Sequence, residues 1–464
     1  MYDLAVIGGG PGGYVAAIRG AQHGLKVILV EKDSLGGACL NRGCISTKCF
    51  IYDTKLLDAA RTSQVMTGAE ALSIDLVKMV ARKRQVVNTL VSGVEKIIQS
   101  HGIDIAHARG ELIAPGRIRV NPTNGSAREY QARHVILATG SKPAVLPFIE
   151  LDGHYVQSTD EALDSEDIPG KLIIIGCGVI GVEMATIYLN LGCEVRILEL
   201  LPDILMTEDA EIRRAMRILM EQRGVKINVN AKVKDVAARD EKVKVTYEDK
   251  TGQGKTLEAE TVLVATGRAP VLDGINAGKL GLKTDGPFIK VNPRLETSLP
   301  GVYAIGDLVG GMMLAHKAMA EAEAAVANIL GGNKELKPEL IPRCIWGLAE
   351  IGAVGLTEQE ARATGRRINV GKFPYMNSGA AQSMGNVNGF TKIIGDAETG
   401  EILGVHILGS HATELIGESL LAMTMESAVE DLAEVIKPHP TLSETLMEAA
   451  MDWKGLAIQS PKKP

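Results

Sequence analysis

One pattern occurs twice in this chain and constrains its fold more than any other. The apolar run Leu4-Ala5-Val6-Ile7 opens into Gly8-x-Gly10-x-x-Gly13, a helix-like stretch to Gly24, and a second run, Lys26 to Val30, ending at Glu31. The second copy runs from Lys171 to Ile175 through Gly176-x-Gly178-x-x-Gly181 and a stretch to about Leu191, then Glu194 to Leu198, ending at Glu199. In both, the first glycine stands 23 positions before the acid. Each copy later returns through an apolar run into Ala-Thr-Gly, at 138–140 and 265–267. Strand, glycine turn, helix and strand make a βαβ unit, so two copies predict an α/β fold with parallel sheets. A single three-glycine match is weak; two with one acidic offset are strong.

The chemistry of that spacing is nucleotide binding. Gly8 permits a tight turn, Gly10 lets backbone approach a pyrophosphate, and Gly13 allows close helix–sheet packing. The pyrophosphate sits at the helix N-terminus, where free N–H groups and the macrodipole favour negative charge. Glu31 is placed to accept hydrogen bonds from an adenosine ribose. Gly176, Gly178, Gly181 and Glu199 do the same for a second nucleotide. A carboxylate at 199 repels a 2′-phosphate, and Leu200, Leu201 and Pro202 supply no cation, which predicts NAD over NADP.

Length adds the domain count. A chain of 464 residues, 45% hydrophobic, is too long for one core and too apolar for disorder, so two to four domains are expected. The net charge of -6 argues against nucleic acid or anionic lipid as the main partner. No run reaches the ~18 apolar residues of a membrane span, and Met1 leads almost at once into a strand, so a cytoplasmic protein is expected. Residues 51–100 read as long helices, with Val87, Leu90, Val94 and Ile97 near a 3.6 period. Tyr303-Ala304-Ile305-Gly306-Asp307 closes a further strand, and a helix is predicted from about Leu314 to Leu330. Gly331-Gly332-Asn333 and Pro338 mark a boundary. Beyond it, Ile393-Ile394 and Ile402 to Leu408 predict antiparallel strands, followed by helices near 413–436 and after Pro440.

Six cysteines in so long a chain make no disulfide scaffold. Cys39 and Cys44, in Gly36-Gly37-Ala38-Cys39-Leu40-Asn41-Arg42-Gly43-Cys44-Ile45-Ser46-Thr47-Lys48, are placed on the start of one helix, close enough for the sulfurs to meet. The helix N-terminus then favours a thiolate. Zinc wants two further ligands, and Cys49 alone does not supply them, so no metal site is expected. Two unrelated buried thiols are the bland alternative. Cys49, Cys177, Cys193 and Cys344 are expected to be buried small residues, His406 and His411 strand and loop residues, and Met423 and Met425 core.

These residues resemble the flavin-dependent pyridine nucleotide–disulfide oxidoreductases of the Cys-x4-Cys class, above all the branch that acts on dihydrolipoyl groups. The likeness covers essentially the whole chain. It includes Met313-Leu314-Ala315-His316-Lys317, Gly404 to Gly409 and His439-Pro440-Thr441-Leu442-Ser443-Glu444. It implies two Rossmann-like domains and a C-terminal α+β dimerisation domain: FAD domain 1–147 and 271–338, NAD domain 148–270, interface domain 339–464. It implies a Cys39–Cys44 redox disulfide, with FAD held by Gly8, Gly10, Gly13, Glu31, Lys48, Gly110, Thr139, Gly140, Ser141, Asp307, Met313, Leu314, Ala315 and His316. NAD falls to Gly176, Gly178, Gly181, Glu199, Val233 and Gly267. Lys48 is implied to sit near the flavin and pair with Glu183, and His439, oriented by Glu444, to be the acid–base. The substrate dithiol attacks Cys39, Cys44 faces the flavin, and electrons leave to NAD. His439 and Cys39 come from different subunits, so the implied enzyme is a homodimer. Its partner is a separate lipoyl-bearing acyltransferase or glycine-cleavage carrier protein.

Three departures stand out. Ser46 replaces a usual proline, which loosens the start of the helix. Lys437 replaces a usual histidine, which raises local positive potential. Leu348-Ala349-Glu350 lacks a proline often found there. The rival readings are an NAD-linked reductase of another small disulfide and a non-catalytic FAD-bound docking subunit. Mercuric reductase is disfavoured because no cysteine pair ends the chain.

Overall fold

The strand Tyr2–Ile7 lies at the centre of a sheet, parallel to Val27–Glu31 on one side and to the second half of Arg128–Leu137 on the other. Leu4 to Ile7 are buried on both faces. That is why the run is continuously apolar instead of alternating. Asp104–His107 extends the sheet beyond Val27–Glu31, and Val302–Ala304 pairs with Val135 to Leu137 at the other side. The first half of Arg128–Leu137 turns antiparallel into the meander Arg109–Ala114 and Arg117–Asn121. Strand order reverses beside Tyr2–Ile7, which puts a switch-point crevice over Gly8.

This computed structural model describes residues 1–239 and 241–461, in two compact units. The first holds residues 1–146, 157–167 and 266–336; the second holds 147–156, 168–265 and 337–464. In the second unit, Lys171–Ile175 pairs in parallel with Glu194–Leu198 and Thr261–Val264, and Lys226–Asn228 lies outside Glu194–Leu198. The same reversal of order places a second crevice over Gly176. The repeat in the sequence is a repeat in topology.

The second unit also holds a three-stranded antiparallel sheet, Lys232–Arg239, Lys242–Glu248 and Gly254–Ala259. Its C-terminal part is an antiparallel five-stranded sheet, in the spatial order Arg343–Trp346, Glu350–Gly355, Ile402–Gly409, Phe390–Asp396, Ile368–Pro374. Helices Ala412–Thr424, Val429–Glu434 and Glu444–Trp453 cover it, and Phe373, Ile393, Val405, Ile416, Leu446 and Trp453 share one buried core. The family-derived fold class is thus present in full.

Three local expectations need correction. Residues 51–100 do hold long helices, Cys44–Thr62 and Leu76–Ser100. The buried face of the second is set by Met79, Val80, Lys83, Val87 and Ile98, while Leu90 and Ile97 are exposed. The 3.6 period is real and half of the stripe holds, with Val87 buried and Val94 packed on the core. But the buried face runs through Lys83, whose long stem packs inward and whose ammonium meets Asp164 at 2.6 Å. Met425 is likewise exposed, although Met423 packs on the core. Cys49, Cys177 and Cys193 are buried; Cys344 is only partly so.

A polar cluster inside the second unit joins the helix Ala210–Gln222 to the C-terminal sheet. Asp209, the N-cap of that helix, receives Lys392 Nζ at 3.0 Å, and Glu358 lies 2.7 Å from the same ammonium. Burial alone would push Lys392 down, but the carboxylates of Glu358 and Asp209 outweigh it and hold the ammonium charged. Arg343 meets Glu208 beside it at 3.0 Å. His406, wholly buried, has Nε2 2.9 Å from the Leu356 carbonyl, and burial pushes its pKa down to about 4. The native state therefore declines a proton that the unfolded chain binds below its ordinary 6.5. Stability falls as pH drops from 6.5 towards 4, by roughly 3 kcal/mol for this one group. Denaturant titrations at pH 7 and pH 4.5 should show that loss, and His406→Gln should flatten it.

Candidate active site

The two glycine turns are built alike. Gly8 has φ 106°, and a Cβ there would stand 2.2 Å from the Ala138 carbonyl oxygen; one at Gly13 would stand 1.8 Å from the Gly8 oxygen. Gly176 has φ 103°, and a Cβ at Gly181 would fall 2.2 Å from the Gly176 oxygen. The fold itself demands these four. The middle glycines differ. A Cβ at Gly178 meets nothing within 4 Å, and one at Gly10 meets only Gly37 Cα at 3.9 Å. Space at the middle position, over helices Pro11–Gln22 and Val179–Asn190 that begin without a side-chain cap, fits a pyrophosphate on each turn.

The acids are held alike as well. Glu31 accepts from Gly9 N–H at 2.6 Å and Asp33 N–H at 2.7 Å; Glu199 accepts from Cys177 N–H at 2.5 Å and Leu201 N–H at 2.8 Å. One backbone bond per oxygen fixes each carboxylate and leaves further lone pairs for ribose hydroxyls.

In the first unit, Thr139, Gly140 and Ser141 follow the strand Arg128–Leu137, and Thr139 Oγ1 donates to the Val271 carbonyl at 2.7 Å. The Ser141 hydroxyl donates to Asp307, which lies in the tight turn Gly306–Val309. Gly110 lies on the strand Arg109–Ala114, and a Cβ there would come within 2.9 Å of Ile7 Cγ2. Met313 and Leu314 lead into the helix Ala315–Ile329, opened by Ala315 and His316 with no side-chain cap. Lys317 and Glu321, which the sequence reading did not single out, brace this corner. Their charged groups are 2.6 Å apart, Lys317 Nζ reaches the Gly310 carbonyl at 3.1 Å, and Glu321 receives Gly306 N–H at 2.7 Å. Glycines and an uncapped helix, with Asp307 between, fit the polar edge and ribityl chain of a flavin.

Cys39 and Cys44 are thiols held by two helices, not one. Cys39 lies in Gly37–Arg42 and Cys44 opens Cys44–Thr62, with Gly43 between (φ -129°, ψ -113°). A Cβ at Gly43 would stand 2.9 Å from the Ala38 carbonyl oxygen, so this break brings the two backbones together. The thiols hydrogen-bond to each other. That bond, reinforced by burial, raises the Cys39 pKa far above the ordinary range, with Lys48 pulling the other way. Cys44, exposed at the uncapped start of a 19-residue helix, is where negative charge is favoured. Lys48 follows one turn later. Ser46 does not loosen this corner: buried, it donates to the Asn41 carbonyl at 2.9 Å, and Asn41 Nδ2 donates to the Gly37 carbonyl at 2.8 Å.

In the second unit, His439 Nδ1 lies 2.9 Å from Glu444 Oε1, and Glu444 Oε2 accepts from Thr441 N–H at 2.8 Å. Burial pushes the Glu444 carboxyl up, but these bonds outweigh it and hold the group below its ordinary value. The His439 side chain is 73% exposed. Lys437 is ion-paired with Glu418, so its charge is compensated and does not raise the local potential as expected. Glu183, buried on the helix Val179–Asn190, accepts from Trp346 N–H at 3.1 Å. Val233 lies on the strand Lys232–Arg239, and Gly267, in the first unit, has φ 105°. His406 is a strand residue, and His411, in a left-handed conformation, precedes the helix Ala412–Thr424.

These paired nucleotide turns and the thiol pair define a flavin- and pyridine-nucleotide-linked dithiol oxidoreductase. Comparison with known proteins agrees. Residues 2–322 match the family model described as pyridine nucleotide-disulphide oxidoreductase, and residues 341–450 match its dimerisation domain. The chain belongs to this family, whose cofactors are FAD and NAD. It is 39% identical to the dihydrolipoyl dehydrogenase of Bacillus subtilis, over 98% of this chain and 99% of that one. To the mitochondrial dihydrolipoyl dehydrogenase of Pisum sativum it is 38% identical, over 97% and 91%. The crystal structure of LpdA from Mycobacterium tuberculosis superposes with a TM-score of 0.90 at 28% identity, over 97% and 99%. No helix among the described residues is long and apolar enough to cross a membrane.

Proposed function

We propose that this chain is a dihydrolipoyl dehydrogenase that reoxidises the dihydrolipoyl groups of a separate carrier or acyltransferase and passes the electrons to NAD. The observation that carries this reading is the hydrogen-bonded Cys39–Cys44 pair at the head of an uncapped helix, in a unit that also carries the flavin cradle. Full-length likeness to dihydrolipoyl dehydrogenases supports the substrate. FAD, held by the turn Gly8-x-Gly10-x-x-Gly13, Glu31 and Asp307, would supply two-electron transfer between the dithiol and NAD.

The protein's own groups do the rest. In the oxidised enzyme, Cys39 and Cys44 form a disulfide. His439 of the partner subunit accepts a proton from one substrate thiol, and that sulfur attacks Cys39 Sγ. The Cys39–Cys44 bond breaks, Cys44 leaves as thiolate, and the second substrate thiol displaces Cys39. Lipoyl disulfide leaves, and the enzyme keeps the electron pair as a dithiol. Lys48, one turn beyond Cys44 and pulling the pair towards ionisation, stabilises the thiolate. The reading makes the protein a homodimer, which its dimerisation domain supports. We place it in the cytoplasm.

The test is a substrate panel: dihydrolipoamide, reduced glutathione and small dithiols, each with NAD and NADP. NAD-linked oxidation of dihydrolipoamide well above every other combination is expected. A faster soluble thiol or an NADP preference overturns the reading.

A further inference from the structure

The chain first leaves the first unit after Leu146 and last returns to it at Thr266, and the segments beside these two crossings pair with each other. Ser141–Pro143 and Arg268–Pro270 form an antiparallel ribbon, Ser141 opposite Pro270 and Pro143 opposite Arg268. The ribbon has its own fastenings: Thr266 Oγ1 donates to the Ala144 carbonyl at 2.5 Å and Ala144 N–H to the Gly267 carbonyl at 2.9 Å. It therefore does not depend on Arg268 for its pairing. Yet the Arg268 guanidinium is turned onto Ser141: Nε donates to Ser141 Oγ at 2.7 Å and Nη2 to the Ser141 carbonyl at 2.9 Å. Nε also lies 3.8 Å from Asp307 Oδ2.

The direction of these bonds is fixed by chemistry. Arginine only donates, so Ser141 Oγ must accept from it, and the serine proton is left to point at the Asp307 carboxylate, which only accepts. We infer that Arg268 is a positioning residue for the flavin site: through Ser141 it orients one oxygen of Asp307 and leaves the other for a cofactor hydroxyl. The inference rests on FAD occupying this unit. It does not depend on which thiol is oxidised.

Its test reads cofactor binding, not turnover. Apoprotein of the wild type and of Arg268→Met, Ser141→Ala, the double variant and Thr266→Val would be titrated with FAD, following quenching of flavin fluorescence. Arg268→Met keeps the length and removes the donors. It should weaken FAD binding roughly tenfold, the usual scale for a bond to a charged group. Ser141→Ala should do about the same, and the double variant little worse than either, because both cut one relay. Arg268→Lys should recover part of the loss. Thr266→Val, which loosens the ribbon without touching Ser141 or Asp307, should bind FAD as the wild type does. Additive losses in the double variant, wild-type affinity in a folded Arg268→Met protein, or an equal loss in Thr266→Val would each overturn the inference. Failure of dihydrolipoamide as substrate, with the relay intact, would strike only the proposed function.

Discussion

Cys44→Ala is expected to abolish bleaching of the bound flavin by dihydrolipoamide while NADH still bleaches it. The two reductants reach the cofactor by different routes. The dithiol must first break a Cys39–Cys44 bond, and with one sulfur gone no such bond exists. In the proposed function the nicotinamide route uses the turn Gly176-x-Gly178-x-x-Gly181 and Glu199, which contain neither thiol. With Cys44 gone, Cys39 has no sulfur to bridge to and is still disfavoured as a thiolate by burial, so it offers the substrate no disulfide to break. Anaerobic spectra with each reductant decide the matter. Persistent bleaching by dihydrolipoamide would show that the thiol pair is not on the path.

His439→Gln should lower kcat/KM for dihydrolipoamide by about 10²- to 10⁴-fold, the range associated with losing a positioned acid–base group. The imidazole has one nitrogen engaged with Glu444, which fixes the ring and presents Nε2 for proton transfer. NADH-driven bleaching should again survive. A mixing experiment adds a sharper readout. Hybrid dimers of His439→Gln and Cys44→Ala subunits contain one intact site if histidine and cysteines are drawn from different chains, so mixing should restore activity. Steady-state assays before and after subunit exchange would show it. No recovery in verified hybrids would place both groups in a single chain.

Much of this was legible in the sequence because it depends on residues that few others can replace. Gly8, Gly13 and Gly181 stand where a side chain would collide with backbone and Gly176 has a left-handed φ of 103°, so both turns were marked by spacing alone. Continuous apolar runs betrayed the central parallel strands. What escaped depends on where long polar side chains go. On the helix Leu76–Ser100 the buried face runs through Lys83, a charged residue that periodicity counts as solvent-facing, and leaves Leu90 and Ile97 exposed. The break at Gly43, which puts the cysteines on separate helices, carries no signal beyond a glycine. Ser46 looked like the loss of a rigid proline, yet its hydroxyl ties down the Asn41 carbonyl. Arg268 was invisible because its partners lie 127 positions back, at Ser141, and on the separate turn bearing Asp307.

The buried contact of Lys392 with Asp209 and Glu358 has a bearing on engineering. A coenzyme module excised after Ala265, or transplanted from a relative with a different C-terminal portion, would carry Glu208 and Asp209 into new company. Both would lose the cations that Arg343 and Lys392 provide. An orphaned carboxylate of this kind costs more than the original pair was worth. Chimeras meant to alter nucleotide preference should therefore exchange both portions together, or replace the whole ionic knot with apolar side chains of matching volume.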